Sequence, residues 1–228
     1  MPLRFVPIDE YQDNALRDER VQTFIDAMRK KGNFAILASL LSRGGAISDG
    51  FSAAFRLFGL DPTVKLKSEL DGLSEMMRNQ PSWLAAEEKP EGALRGAVFE
   101  GFCRHWCAEH WRPKEVLEWG CYAEFNNVTL FHAKTVDVGY SSAAAGYGEF
   151  KISNDRFRDH HSFRFFHDLE DALARGGVKV ESIIALSLSS SSMLRAEAQA
   201  QGCLHVEIFG LGELRASVEG RGVRGVRP

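Results

Sequence analysis

Three residues of the 228 stand at a spacing that could do chemistry. Asp137 lies between Val136 and Val138, and twelve residues later Glu149 and Lys151 alternate with Phe150 and Ile152. Successive side chains of a β-strand point to opposite faces. The alternation therefore sets the Glu149 carboxylate and the Lys151 ammonium side by side above a sheet whose other face is packed by Phe150 and Ile152. It likewise turns Asp137 away from the core that its two valines enter. If the segments pair as a hairpin around Ser141 to Gly146, Asp137 and Glu149 converge. Two converging carboxylates attract a hard, oxygen-preferring cation such as Mg²⁺ or Mn²⁺, and a neighbouring lysine can neutralise a phosphate or position an attacking water. The competing reading is a cross-strand salt bridge on a solvent-facing sheet, worth about 0.2 to 1 kcal/mol.

The elements that must position these residues can be read from periodicity. Val21, Phe24, Ile25 and Met28 recur at helical spacing, and Lys30, Lys31 and Gly32 supply a basic last turn and a stop. Further helices are expected over 34–41, 51–58 and 64–77. A polar, proline-interrupted stretch from Ala85 to Gly92 is the expected boundary. Beyond it a long helix is expected over 92–110, with Leu94, Val98, Phe102 and Trp106 at four-residue spacing. The period then changes. Strands are expected over 116–125 and 128–140, split by the turn pair Asn126-Asn127, and a third over 146–152. A helix over 163–174, a buried strand over 178–188, a helix over 193–201 and a last strand over 204–209 follow. This order predicts an α/β (α+β) chain, a helical N-terminal region at 1–90 and a mixed-sheet core flanked by helices at 91–212. Residues 213–228, with Arg215, Arg221, Arg224 and Arg227 among glycines, read as a flexible basic tail.

Asp137, the twelve-residue spacer and Glu149-Phe150-Lys151, preceded by a helix carrying Glu100, resemble the PD-(D/E)XK nuclease superfamily with its restriction-endonuclease-like core. The resemblance covers roughly residues 92 to 209, and the α-β-β-β-α-β order of that core matches the elements above. It implies a Mg²⁺- or Mn²⁺-dependent nuclease, a DNA endonuclease of the kind used in restriction or antiphage defence, in which Asp137 and Glu149 hold the metal, Lys151 is the catalytic lysine and Glu100 completes or orients the site. Glu118 and Glu124 are substitutes for Glu100. Val136 stands where the name-giving proline would be, and residues 1–90 are not covered; they are left for substrate recognition, a protein partner or a homodimer. The bare pattern also occurs at Asp71, Glu87 and Lys89, without any strand alternation around it. The alternative function is a non-catalytic module that binds nucleic acid or protein on the same fold.

Composition limits where nucleic acid could bind. Net charge is −3, and the first 90 residues hold 12 basic against 13 acidic groups, so no region is a bulk polycation. Phosphate contacts must be local. Arg156, Arg158, His160, His161 and Arg164 are the candidates, close after the third strand and interleaved with Phe157, Phe163, Phe165 and Phe166. These cations and rings could hold a backbone and stack bases, or form an amphipathic helix with a phenylalanine core. Cys103, His105, Cys107 and His110 crowd one helix, but zinc usually draws on two separated ligand pairs, and small buried cysteines are the simpler expectation. The N-terminus has no apolar signal region and no uncharged stretch approaches the ~20 residues of a membrane helix. The chain is therefore expected to be cytoplasmic, with no membrane partner.

Overall fold

A computed structural model describes residues 3–8, 10–43, 66–111, 115–132 and 134–228. The helix expected over 51–58 lies outside the described residues. The chain divides into two compact units: a sheet unit of Met1–Asp9, Arg104–Leu214 and Val223–Pro228, and a helical unit of Glu10–Cys103 and Arg215–Gly222. The expected break at residue 90 thus falls within the helical unit, because the apolar face of the long helix continues past it.

The helical unit contains α1 (Glu10–Arg17), α2 (Glu19–Met28), α3 (Phe34–Ser42), α4 (Lys67–Arg78), the single turn α5 (Ser82–Ala85) and most of α6 (Pro90–Trp106). Asp18 starts α2 by accepting the Arg20 backbone N–H at 3.0 Å, which satisfies one of the orphan donors of a helix start. The predicted stripe of Val21, Phe24, Ile25 and Met28 is fully buried, as are Leu94, Val98, Phe99 and Phe102 of α6. The Phe34 and Phe102 rings lie 5.1 Å apart.

The sheet unit holds seven strands: β1 (Leu3–Pro7), β2 (Glu118–Phe125), β3 (Val128–Leu130), β4 (Val136–Ser141), β5 (Ala145–Lys151), β6 (Val180–Ser187) and β7 (Val206–Phe209). Their order is β1-β2-β4-β5-β6-β7, with β3 paired to β2. Pairing is antiparallel from β1 to β5 and parallel from β5 through β7, so the sheet is mixed, as expected. The β5 to β6 crossover carries α7 (Asn154–Asp159) and α8 (Ser162–Arg175), and the β6 to β7 crossover carries α9 (Ser191–Ala200). A last helix, α10, spans Leu211–Val218.

Three expectations are corrected. The region expected to be wholly helical opens with β1, which pairs along its whole length with β2. The single strand expected over 128–140 is two, divided where Phe131 takes a positive φ of 58° that a bulky residue in a strand does not adopt. The expected tail from residue 213 contains the end of α10, and Val226 bridges Ile208 at the β7 edge. Its arginines are mostly paired: Arg215 and Arg221 with Glu219, and Arg227 with Glu207.

The β4 to β5 hairpin places the candidate residues. Its register aligns Val138 with Gly148, Gly139 with Tyr147 and Tyr140 with Gly146, so the turn falls over 142–144. Gly146 lies under the Tyr140 ring, where a Cβ would meet Cε1 at 2.2 Å, and Gly148 lies against Ile184. Tyr147, on the same face as Glu149, donates its hydroxyl to the Phe166 carbonyl of α8 at 3.0 Å. The crossover helix therefore covers the face that carries the candidate residues, and Phe150 is buried on the other. The sheet is packed on both sides at this point.

Candidate active site

The ladder between β4 and β5 ends at Val138 and Gly148, one step short of Asp137 and Glu149. There Asp137 Oδ2 accepts the Phe150 backbone N–H at 2.6 Å, taking over a donor that the strand pairing no longer uses. Lys151 Nζ lies 3.2 Å from the same oxygen and 3.7 Å from Glu149 Oε2. The three residues expected to converge are thus joined through one ammonium, on two adjacent strands.

Their surroundings differ. The Asp137 and Lys151 side chains keep 17% and 22% of their surface exposed, whereas Glu149 keeps 7%. A solvent-facing salt bridge does not describe this arrangement. Burial pushes the Glu149 carboxyl above its ordinary value, and the Asp137 charge adds to that. The Lys151 and Lys134 charges and the nearby Ser162 hydroxyl pull the other way. Even so, neither Glu149 Oε2 nor Ser162 Oγ, both buried, completes a hydrogen bond of ordinary geometry. A buried carboxylate oxygen without a hydrogen-bond donor costs on the order of 1 to 3 kcal/mol or more, which the Lys151 ammonium at 3.7 Å offsets only in part.

Sequence reasoning missed Lys134 and Ser162. Lys134 sits between strands where no period marks it, and it donates to the His160 carbonyl at 2.6 Å. Ser162 begins α8, and its serine reads only as a helix start. His160 lies at the same corner. Partial burial and then the charges of Lys151, Lys134 and Arg156 hold its imidazole below the ordinary value, opposed by Asp159.

The other candidates are distributed as follows. Glu100 belongs to the helical unit, partly exposed on α6. Glu124 pairs with Arg4 at 3.2 Å, and Glu118 stands opposite Gly139 at the start of β2. Arg156 and Arg158 lie on α7, where Arg158 pairs with Asp155 and Asp159; Arg164, on α8, pairs with Asp168. His161, in left-handed backbone at φ 51°, joins Arg158, Arg164, His167 and Glu197 around a cavity of about 580 Å³. Phe157, Phe163, Phe165 and Phe166 are all buried, which makes them core and removes them as base-stacking platforms. The duplicate pattern of Asp71, Glu87 and Lys89 has Asp71 on α4 and the other two between α5 and α6, with no strand beneath them.

None of the four cysteines forms a disulfide, and all are buried. Burial pushes Cys121 and Cys203 up to about 12, so neither is a thiolate at neutral pH. Among the described residues no group of three or more His, Cys, Asp or Glu could hold a metal ion. Asp137 and Glu149 offer two carboxylates, and Glu149 Oε2 is buried with no hydrogen-bond donor. That set fits Mg²⁺ or Mn²⁺, because such ions are commonly held by one or two carboxylates, with water and substrate phosphate completing the shell. It does not fit zinc or an iron–sulfur centre, which prefer nitrogen and sulfur.

No family model and no curated protein matches the chain. Among solved structures it is similar to protein VC1899 from Vibrio cholerae, with a TM-score of 0.40 and 14% identity. That alignment covers 96% of this chain and 57% of the other, so the chain spans little more than half of the length of the protein it matches.

Proposed function

We propose that the chain is a metal-dependent nuclease of the PD-(D/E)XK kind that hydrolyses phosphodiester bonds, acting as a DNA endonuclease. The observation that carries this reading is Lys151 set between Asp137 and a buried Glu149 whose Oε2 has no donor, on adjacent strands of a mixed sheet. The helix, strand, strand, strand, helix, strand order from α6 to β6 supports it, with β3 and the short helix α7 as additions.

Asp137 and Glu149 would hold Mg²⁺ or Mn²⁺. When bound, the cation supplies charge at a phosphate oxygen and acidifies a water within its reach. The chain's own residues do the rest. The Phe150 N–H fixes the Asp137 carboxylate, so one donor is oriented in advance. Because burial raises the Glu149 carboxyl, a cation held there would favour its ionised form, and binding would strengthen as pH rises. Once a cation takes over the carboxylate charges, the Lys151 ammonium is available to the negative charge that develops on phosphorus. The crossover corner around Ser162 limits water on the buried side of Glu149. The helical unit is the part available for recognition, a partner that switches activity on, or a second copy, as an effector in restriction or antiphage defence would require.

The second reading is a non-catalytic module on the same fold, favoured by the fact that Lys151 already neutralises the acidic pair. Calorimetric titration with Mn²⁺ separates the two. The nuclease reading expects binding near the sub-millimolar to millimolar range in the wild type, with proton release, and its loss in Glu149→Gln. A wild type that takes up no Mn²⁺ with or without a DNA strand would contradict it.

A further inference from the structure

The cavity of about 580 Å³ lies within the sheet unit, and its lining includes Arg158, His161, Arg164, His167, Glu197 and Gln201 but none of Asp137, Glu149 and Lys151. Its walls are the end of α7, the first two turns of α8 and the last turn of α9. Polar groups are held in place there. The Arg164 backbone N–H donates to Gln201 Oε1 at 2.9 Å, and Gln201 Nε2 donates to Glu197 Oε1 at 2.5 Å. This relay fixes the α9 wall and commits one Glu197 oxygen, leaving the other as an acceptor. His161 takes left-handed backbone at the N-cap of α8 (φ 51°), and its side chain makes no capping hydrogen bond. Asparagine or serine would serve a helix start better, and strained non-glycine backbone of this kind gathers at ligand sites. The imidazole is thus kept at the cavity at a cost to the helix.

The two arginines are oriented without being used up. Asp168 meets Arg164 at Nε, 3.1 Å away, and Asp155 and Asp159 meet Arg158 at Nη2 and Nε, at 2.9 and 3.6 Å. A guanidinium has five N–H donors, so both forks keep Nη donors that no acid among the described residues takes. Their side chains are 55% and 63% exposed, where an ion pair is worth about 0 to 1 kcal/mol. His167 stands 3.8 Å from Asp171, past hydrogen-bond reach. A dianion bridging both forks outweighs such pairs, because bonds from arginine to phosphate are charge-assisted and often bidentate. A terminal phosphate monoester carries about −1.5 to −2 charges, whereas a backbone diester carries one. The cavity has room for more than a bare phosphate and falls in the range of small-molecule sites, about 300 to 1,000 Å³. Glu197 repels a second anion, so the group beside it must bring donors, as sugar hydroxyls and base amines do. We infer that the cavity binds a nucleotide unit by its terminal phosphate monoester, with Arg158, Arg164, His161 and His167 at the phosphate and Glu197 at the sugar or base. The unit is the end of a nucleic-acid strand or a free nucleotide, which present the same chemistry. The inference goes beyond the nuclease reading and uses none of its three residues.

The test uses the full chain in chelator, so that no strand is cut. Oligonucleotides with fluorescein at one end and phosphate or hydroxyl at the other, in both polarities, are titrated by anisotropy. Nucleoside 5′-monophosphates and inorganic phosphate are titrated by calorimetry. An end-phosphate preference of about tenfold at one polarity identifies a strand end; binding of a nucleoside monophosphate without that preference identifies a free nucleotide. Either is expected to be lost in Arg158→Gln/Arg164→Gln, which alters two largely exposed side chains, with melting curves confirming the fold. His161→Asn is the stricter variant. Asparagine caps helices and tolerates left-handed backbone, so this variant is expected to melt no lower than wild type and yet to bind at least about threefold more weakly. The pocket is overturned if neither probe binds, if the arginine pair or His161→Asn leaves binding unchanged, or if inorganic phosphate binds as tightly as the nucleotide. Failure of the nuclease reading looks different: a chain that binds here in chelator but never cleaves DNA with Mg²⁺ keeps the pocket and loses the reaction.

Discussion

Glu149 is the residue on which the site turns. Its carboxyl is raised above the ordinary range by burial and by Asp137, more than Lys151 and Lys134 lower it. The folded protein therefore retains a proton there that the unfolded chain would release. Stability must fall as pH rises from the ordinary carboxylate range through the folded value, and the cost persists above it. Glu149→Gln removes that cost. In the absence of divalent cation we expect the variant to melt a few degrees above wild type near pH 8, the size of shift that ~1 kcal/mol gives in a chain of this length, and level with it near pH 4. A gain of equal size at both pH values would mean that the proton is not its source. A buried carboxyl held beside Asp137 thus gives up stability at this position.

At the scale of elements, the hairpin and its glycines decide where the acids lie. A Cβ on Gly148 would stand 2.4 Å from Ile184 Cγ1 and 2.7 Å from the Ile184 carbonyl, so β5 and β6 would have to separate next to Glu149. Gly148→Ala is expected to lower stability by about 1 to 3 kcal/mol in urea titration and to weaken Mn²⁺ binding; a variant as stable as wild type would show that the strands give way freely. The hairpin was legible because Glu149 and Lys151 alternate strictly with Phe150 and Ile152, and the turn over 142–144 lies within the connection expected around Ser141 to Gly146. Less local features were not. Strand β1 has only five residues, Leu3–Pro7, too few for alternation to stand out, and its partner β2 lies more than a hundred residues away. The burial of Glu149 depends on α8, which the sequence identifies as a helix without saying which face of the sheet it covers. Lys134 reaches the site only because its loop is pinned to the His160 carbonyl, a contact with no sequence signature.

For the whole molecule, the net charge of −3 means that binding of a polyanion must come from a small patch and not from bulk attraction. A small patch implies few phosphate contacts. The slope of log K against log salt for duplex DNA is expected to have a magnitude of about 2 to 3, at roughly 0.9 per phosphate; a slope near 10 would show that a much larger surface is engaged. The division into a sheet unit and a helical unit puts Asp137, Glu149 and Lys151 in the first and Glu100 in the second. Among the described residues no helix is long and apolar enough to cross a membrane.

The central claim is that Asp137, Glu149 and Lys151 cut nucleic acid. Its most direct test is to incubate plasmid and single-stranded DNA with the wild type and with the Glu149→Gln/Lys151→Ala double variant, in Mg²⁺ or Mn²⁺ and in chelator. The account predicts cation-dependent cleavage by the wild type and a loss in the double variant on the order of 10² or more; cleavage undiminished in the double variant would contradict it.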